Sequence, residues 1–452
     1  MTQTFPHSKA FTVTHRSVLA IALPMTLGYI TTPLLGITDT AVIGRTGEAA
    51  ALAGLAIGAV LFDLLFSSLN FLRASTTALV AQAYGRDDPR EQVAVLCRSM
   101  VLSVSIGLII LLLSPLLLRG GLAMMGAEGR VAEVTATYFS IRILAGPLTL
   151  ANFTIMGFVL GRGKGSVGLA LQILLNGVNI TLSIVLGLHY GWGVAGVAYG
   201  AVAGEACATL AGVIIIAARM SKAQMPTWAE LLNRAKLSEL FSLNRDILIR
   251  SFVLLAAFTL LTRIGSSFGA TTLAANAVLM NFFMIASFYL DGIANAAEQI
   301  TGRAVGAMYR PGFDAAVKLT GLWSLGFAVA TTLVFLVFGG HLIDAMTTAE
   351  DVRQMARQFL PWAAVTAMTG ALAFQMDGIF IGAAWSSDMR NMMLAAFVGY
   401  LAALALLVPS FGNHGLWLSL NLFLAFRGVF LLTRLKTRTN QTFPDQTFNE
   451  RQ

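Results

Sequence analysis

Residues 99–118 read SMVLSVSIGLIILLLSPLLL, an uninterrupted stretch without a single charge. As a helix rising 1.5 Å per residue it is about 30 Å long, the thickness of a bilayer's hydrocarbon core. Runs of this kind recur along the 452-residue chain, near 17–43, 51–82, 92–118, 134–160, 167–188, 193–218, 246–265, 272–301, 316–338, 352–380, 391–409 and 415–434. Charged residues make up only 12% of the chain against roughly 25% in soluble domains, and 56% of it is hydrophobic. The expected fold is therefore an all-α polytopic membrane protein of about twelve transmembrane helices. GRDDPRE (85–91), GRGKGS (161–166), HYGWG (189–193), YRPGFD (309–314) and FGNHG (411–415) punctuate the runs.

The net charge of +8 raises the question of nucleic acid, but its distribution answers it. One set of loops holds Lys9, Arg16, Arg86, Arg90, Arg162, Lys164, Arg219, Lys222, Arg234, Lys236, Arg245, Arg303, Arg310, Lys318, Arg390, Arg434, Lys436 and Arg438. The alternate set holds little beyond Arg45, Arg119 and Arg130. By the positive-inside rule the basic loops and both termini are cytoplasmic. The excess charge is a topology signal and implies no nucleic-acid partner. Cys97 and Cys207 lie in apolar runs and make no disulfide framework. The first apolar run is too long for a signal peptide and lacks a clear cleavage site, so it reads as a retained span.

The expected organisation is a cytoplasmic tail (1–16), a six-helix lobe (17–218), a cytoplasmic linker (219–245), a second six-helix lobe (246–434) and a cytoplasmic tail (435–452). In the linker, Thr227 and Glu230 have capping-box spacing. Trp228, Leu231, Leu232, Ala235, Leu240 and Phe241 fall on one helical face, as in a helix lying on a membrane surface. The lobes repeat at an offset of 221 residues: Ile43-Gly44 meets Ile264-Gly265, Gly85 meets Gly306, Gly157 meets Gly378, Gly161 meets Gly382 and Gly191 meets Gly412. An even number of spans per half makes the halves parallel and pseudo-symmetric about the membrane normal, an arrangement that suits alternating access in a secondary transporter.

Ionisable residues inside the spans are costly, about 2.5–3.5 kcal/mol each at mid-helix, and mark candidate sites. They include Asp39, Asp63, Arg73, Glu205, Arg250, Arg263, Asp291, Glu298, Asp377 and Arg427. Mutual pairing would account for most of the arginines and for Glu205. Asp39, in LLGITDTAVIG (34–44), has no basic residue within a turn before it, and Pro24 and Pro33 precede it in the same span. Prolines free backbone carbonyls and bend helices. A lone carboxyl beside a bend can take a proton from one side of the membrane and lose it to the other. Asn176 and Asn179 in the fifth span, and Asn276, Asn281, Asp291 and Asn295 in the eighth, serve either as interhelical glue or as site. Phe62, Phe66, Phe153, Phe283, Met284, Phe288, Tyr289 and Phe374 could line a cavity for flat apolar molecules or simply pack.

GRGKGS fails as a phosphate loop because Phe158 and Gly165 stand where Gly and Ser or Thr are needed. No metal spacing and no nucleophile–base pair is evident, so an enzyme is not expected.

LLGITDTAVIG, FLRASTTALVAQAYG (71–85), LNRDILIRS (243–251), NAVLM with YLDGIANAAE (276–298), MDGIFIGAAWSSDMRN (376–391) and FGNHGLWLSL with AFRG (411–428) together resemble the multidrug and toxic compound extrusion (MATE) family, on its DinF-like branch. The resemblance runs from about residue 16 to 434. It implies two six-helix lobes and export of small organic compounds driven by H⁺ or Na⁺, without a cofactor, by a monomer in a bacterial inner membrane. It assigns ion coupling to Asp39, Asn176, Asn179 and Asp377. For the substrate cavity the expected residues are Asp39, Phe62, Phe153, Phe283, Asn276, Asp291 and Met284. Many relatives carry an Asp where this chain has Ser183, and a Glu carried by some branches in the seventh helix is replaced near Arg250. Both losses remove Na⁺ ligands and point to H⁺, with Na⁺ as the alternative. Two other functions remain open: a lipid-linked precursor flippase, which needs a basic cavity supplied by Arg73, Arg250 and Arg263, and a membrane enzyme or scaffold without transport. A major-facilitator carrier is disfavoured because GRDDPRE lacks that family's loop signature.

Overall fold

A computed structural model describes residues 10–221 and 224–444; the ends of both terminal tails, with Lys9, and Lys222 of the linker lie outside them. Among the described residues the secondary structure is helical and no strand occurs. The helices are α1 (His15–Gly44), α2 (Ala49–Ser67), α3 (Phe71–Gly85), α4 (Pro89–Met125), α5 (Gly129–Arg142), α6 (Gly146–Gly161), α7 (Gly165–Ile184), α8 (Gly193–Ala217), α9 (Trp228–Leu231), α10 (Arg234–Ser266), α11 (Ala270–Gly306), α12 (Arg310–Met346), α13 (Glu350–Gly382) and α14 (Ser386–Thr442). Eleven segments of the described chain are long and apolar enough to cross a membrane. The last of them, α14, turns at Gly412 (φ 55°, ψ −129°) and makes two spans, which brings the number to twelve. Apolar side chains stand exposed along the outer faces, Leu112 and Leu116 of α4 at 79% and 68%, as lipid contact requires.

The chain forms two compact units, one of Leu27–Val80 and Asp88–Leu240, the other of Met1–Thr26, Ala81–Asp87 and Phe241–Gln452. The same packing recurs inside each. In the first, a Cβ on Gly157 of α6 would meet the Arg73 carbonyl, and one on Gly161 the Thr77 carbonyl and Val80, so α6 lies backbone to backbone on α3. In the second, Gly378 of α13 meets the Ala294 carbonyl, and Gly382 the Glu298 carbonyl and Thr301 of α11. Every partner is displaced by the same 221 residues as its glycine. Glycines four apart let membrane helices approach this closely.

The turns repeat as well. Left-handed residues occur at Asp87 and Met308, at Gly163 and Ala384, and at Gly191 and Gly412. The backbone shape has been kept even where the glycine has not, although such a conformation costs an L-residue roughly 1–2 kcal/mol.

Three local features depart from the sequence reading. The second and fourth spans are interrupted by 3₁₀ turns at Ser68–Asn70 and Ile143–Ala145, the latter beside Pro147 at the start of α6. The linker does not carry one amphipathic helix. The Thr227–Glu230 capping box forms, but α9 is a single turn. Asn233 then accepts from the backbone N–H of Ala235 (3.1 Å) and Lys236 (3.2 Å), capping α10, which continues into the seventh span. Finally, α14 runs past 434 to Thr442, because Arg434 (3.3 Å) and Arg438 both pair with the buried Asp388 near the helix's start.

Candidate functional site

In the first unit α1 and α7 run parallel and in register. Gly28 faces Gln172, Thr31 bonds Asn176, and Val42 packs on Gly187. The same register sets Asp39 level with Ser183. Asn176 donates to the Thr31 hydroxyl (2.7 Å) and accepts from Gln172 (3.1 Å). Ser183 donates to the Asn179 side-chain oxygen (3.1 Å). Helix α8 fixes this row from behind with Gly200 and Gly204, whose Cβ positions fall on the backbone of α7 at Ser183 and Leu175, and with Gly196, which meets the π-helical turn Val185–His189 after α7 at Gly187. Any side chain there would push Asn179 and Ser183 away from α1.

A second ladder joins α2 to α5, also parallel. Gly54 meets Val134 and Thr135, Gly58 admits the ring of Tyr138, and Phe62 lies under Arg142, its ring centroid 4.2 Å from the guanidinium carbon. Arg142 is the last residue of α5, held there by donation to the Tyr138 hydroxyl. Its charge reaches Asp39, Asp63 and Glu205. Among the described residues no ion pair within 4.0 Å joins it to any of the three. Glu205 instead accepts from Asn152 (2.6 Å). Asp39 is 7% exposed, and its Oδ1 is buried without a hydrogen-bond partner.

The second unit treats its carboxylate differently. Asp377 Oδ2 accepts from both Arg250 (2.8 Å) and Arg427 (2.6 Å), and Arg427 also feels Asp291. The Arg427 side chain is only 3% exposed and lies between Phe374 and Phe423.

The MatE family model matches the chain twice, over residues 24–185 and 247–407, one match for each repeat. The chain belongs to the MATE family. It is 36% identical to the "DNA damage-inducible protein F" of Escherichia coli K12, over 93% of this chain and 92% of that protein. It is 26% identical to a "probable multidrug resistance protein NorM" of Bacillus cereus, over 85% and 87%. The fold matches a MATE crystal structure described as the straight conformation, with a TM-score of 0.86 at 16% identity, covering 95% of this chain and 96% of that one. An outward-facing MATE multidrug transporter superposes with a TM-score of 0.85 over the same shares. The relatives are transporters, and this chain is a membrane transporter of the same family, not an enzyme.

Of the residues expected in a MATE site, the fold brings Asp39, Asn176 and Asn179 together along α1 and α7. Phe62 reaches them through Arg142, and Phe153 stands half-buried on α6 beside Asn152. Asp377 and Phe283 lie in the other unit, where Phe283 contacts Phe374 (6.5 Å) in the core. Asn276 is fully engaged: it exchanges bonds with Asn413 (2.8 and 3.0 Å) and accepts from Trp417 (2.9 Å). Asp291 and Met284 are exposed. The sequence reading missed Arg142. The signal was present: it is a charged residue within the fourth span, and it falls eight residues after Val134 just as Phe62 falls eight after Gly54.

Proposed function

We propose that this MATE-family chain is an antiporter that exports aromatic or cationic organic compounds in exchange for H⁺, with Asp39 as the coupling carboxylate. The observation that carries this is a buried carboxylate oxygen with no partner, on a helix whose neighbour offers only amides and a hydroxyl. A carboxyl in the membrane interior that no ion pair holds is free to change its charge, and that change can be linked to the binding and release of a substrate. Open to the cytoplasm, the ionised site holds substrate. Open to the exterior, Asp39 takes a proton, affinity falls and the substrate leaves. The protonated, empty carrier returns. Ser183 in place of an acid weakens the donor set for Na⁺ and supports H⁺. Asn176 and Asn179 hold the two helices in register for this exchange. Asp377 acts through its two arginines and with Asp291 forms the polar centre of the second unit. The protein works as a monomer in a bacterial inner membrane with both termini in the cytoplasm, in keeping with the distribution of Lys and Arg.

Magnitudes constrain the stoichiometry. One charge crossing 100 mV is worth about 2.3 kcal/mol, and about 1.4 kcal/mol is a factor of ten. Exchange of one monovalent cation for one proton moves no net charge and feels only the pH gradient. A flippase for lipid-linked precursors is less well supported, because Arg250 is neutralised by Asp377 and Arg73 donates to Asn70 (3.1 Å).

The test is flux in proteoliposomes with pH and Na⁺ gradients imposed separately, using charged and uncharged aromatic compounds. Export is expected with the pH gradient alone. Export driven by Na⁺ alone would replace the ion, and no flux under either would defeat the transport cycle.

A further inference from the structure

We propose that Arg142 sets the charge of the cargo: it stands in for a substrate cation beside Asp39, so that the site favours uncharged aromatic compounds and discriminates against monovalent cations. This rests on the reading of Asp39 given above and narrows its substrate class.

Arg142 is a built-in feature of the site. Gly58 leaves room for the Tyr138 ring, Tyr138 accepts from the guanidinium, and the face of Phe62, itself stacked on Phe66 (4.2 Å between centroids), lies beneath it. A guanidinium over an aromatic face in a desolvated setting is held by about 2 kcal/mol. Tyr138, which holds the guanidinium, shares one buried core with Val42 and Ile43, a turn after Asp39 on α1. The cation is thus tethered near the carboxylate end of α1 and, among the described residues, is locked into no ion pair. Contrast Arg427 and Arg250, which grip a single carboxylate oxygen.

Charge balance then decides what binds. Three ionised carboxylates in an apolar interior are too costly to coexist, and one fixed cation balances one of them. When Asp39 gives up its proton, Arg142 already supplies the compensating charge, so the incoming molecule need not be positive. A monovalent cation would instead be repelled by the fixed guanidinium. The consequence reaches the energetics: exchanging one uncharged molecule for one proton moves one net charge, so the carrier draws on the membrane voltage as well as on the pH difference.

The test uses the purified full-length protein with two probes of similar shape, tetraphenylphosphonium and uncharged triphenylphosphine oxide. In the wild type the uncharged probe binds more tightly. Arg142→Gln should tighten tetraphenylphosphonium about tenfold and leave triphenylphosphine oxide within twofold, while Arg142→Lys keeps the wild-type ratio. An unchanged ratio in Arg142→Gln, or equal weakening of both probes, overturns the proposal and leaves Arg142 as a structural tether. A second measurement needs no variant at Arg142. On solid-supported membranes at equal pH, adding triphenylphosphine oxide to the wild type should produce a charge-displacement current, and its absence also overturns the proposal. If Asp39→Asn retains the current, the coupling role of Asp39 fails while the binding ratio still reports on Arg142.

Discussion

Asp39 and Asp377 are both carboxylates buried in membrane helices, and the two units handle them in opposite ways. Asp377 has two guanidiniums on one oxygen, at 2.8 and 2.6 Å. Asp39 has an oxygen with no partner and an arginine kept at a distance by Tyr138 and Phe62. The backbone around them differs too. The first unit breaks its second and fourth spans with 3₁₀ turns close to Phe66 and directly after Arg142, whereas α11 and α13 of the second unit run unbroken. A mid-span 3₁₀ turn often marks a hinge. The lesson is that two repeats of one fold can treat a buried carboxylate differently, clamped by two arginines in one and, among the described residues, held in no ion pair in the other. The proposed division of labour, helix-holding against charge-changing, follows that difference.

The contrast is broken most strongly at Asp377. Asp377→Asn strips the shared anion from Arg250 and Arg427 and leaves a buried and a half-buried cation facing each other. A loss of about 3–5 kcal/mol is expected, read as a large drop in thermal stability in detergent. Asp39→Asn, which breaks no ion pair, should leave the same melting curve nearly unmoved. If the two variants melt alike, the proposed division of labour is wrong.

A smaller effect sharpens the geometry of the first unit. Gly200→Leu puts a side chain where the Ser183 backbone and hydroxyl already lie, 2.8–2.9 Å from the new Cβ. Overpacking of this kind costs about 1–3 kcal/mol. Because α7 must shift, export should fall further than stability alone explains, as measured by flux per folded protein. The same substitution at Gly177, whose surroundings are open, serves as the control.

The smallest effect tests the repeat itself. Ala384 holds the left-handed turn that Gly163 holds in the other half (φ 57° and 70°). Ala384→Gly relieves that strain and should stabilise the protein by up to about 1 kcal/mol, visible as a slight rise in melting temperature. No change, or a fall, would mean that the turn is not strained.

Much of this was legible beforehand because membrane burial writes itself into sequence. Charge-free runs gave the spans, and the glycines at the 221-residue offset proved to be the contact points between α3 and α6 and between α11 and α13. Asp39 stood out because its own helix held nothing to neutralise it. Partners supplied by other helices were harder to read. Arg142 lies about a hundred residues from Asp39, and the packing of Tyr138 with Val42 and Ile43 of α1 is what brings the two helices together. The clamp on Asp377 was equally hidden, since Arg250 and Arg427 are 127 and 50 residues away. The one-turn α9 escaped because Asn233, polar and unremarkable in a linker, restarts the helix.

The most direct measurement is substrate-driven proton movement in proteoliposomes, comparing wild type with Asp39→Asn at equal amounts of folded protein. The wild type should release protons on one side as substrate is taken up, and export should follow an imposed pH gradient. Asp39→Asn should still bind the aromatic probe yet move no protons and ignore the gradient. Export by Asp39→Asn at the wild-type rate under that gradient would contradict the account.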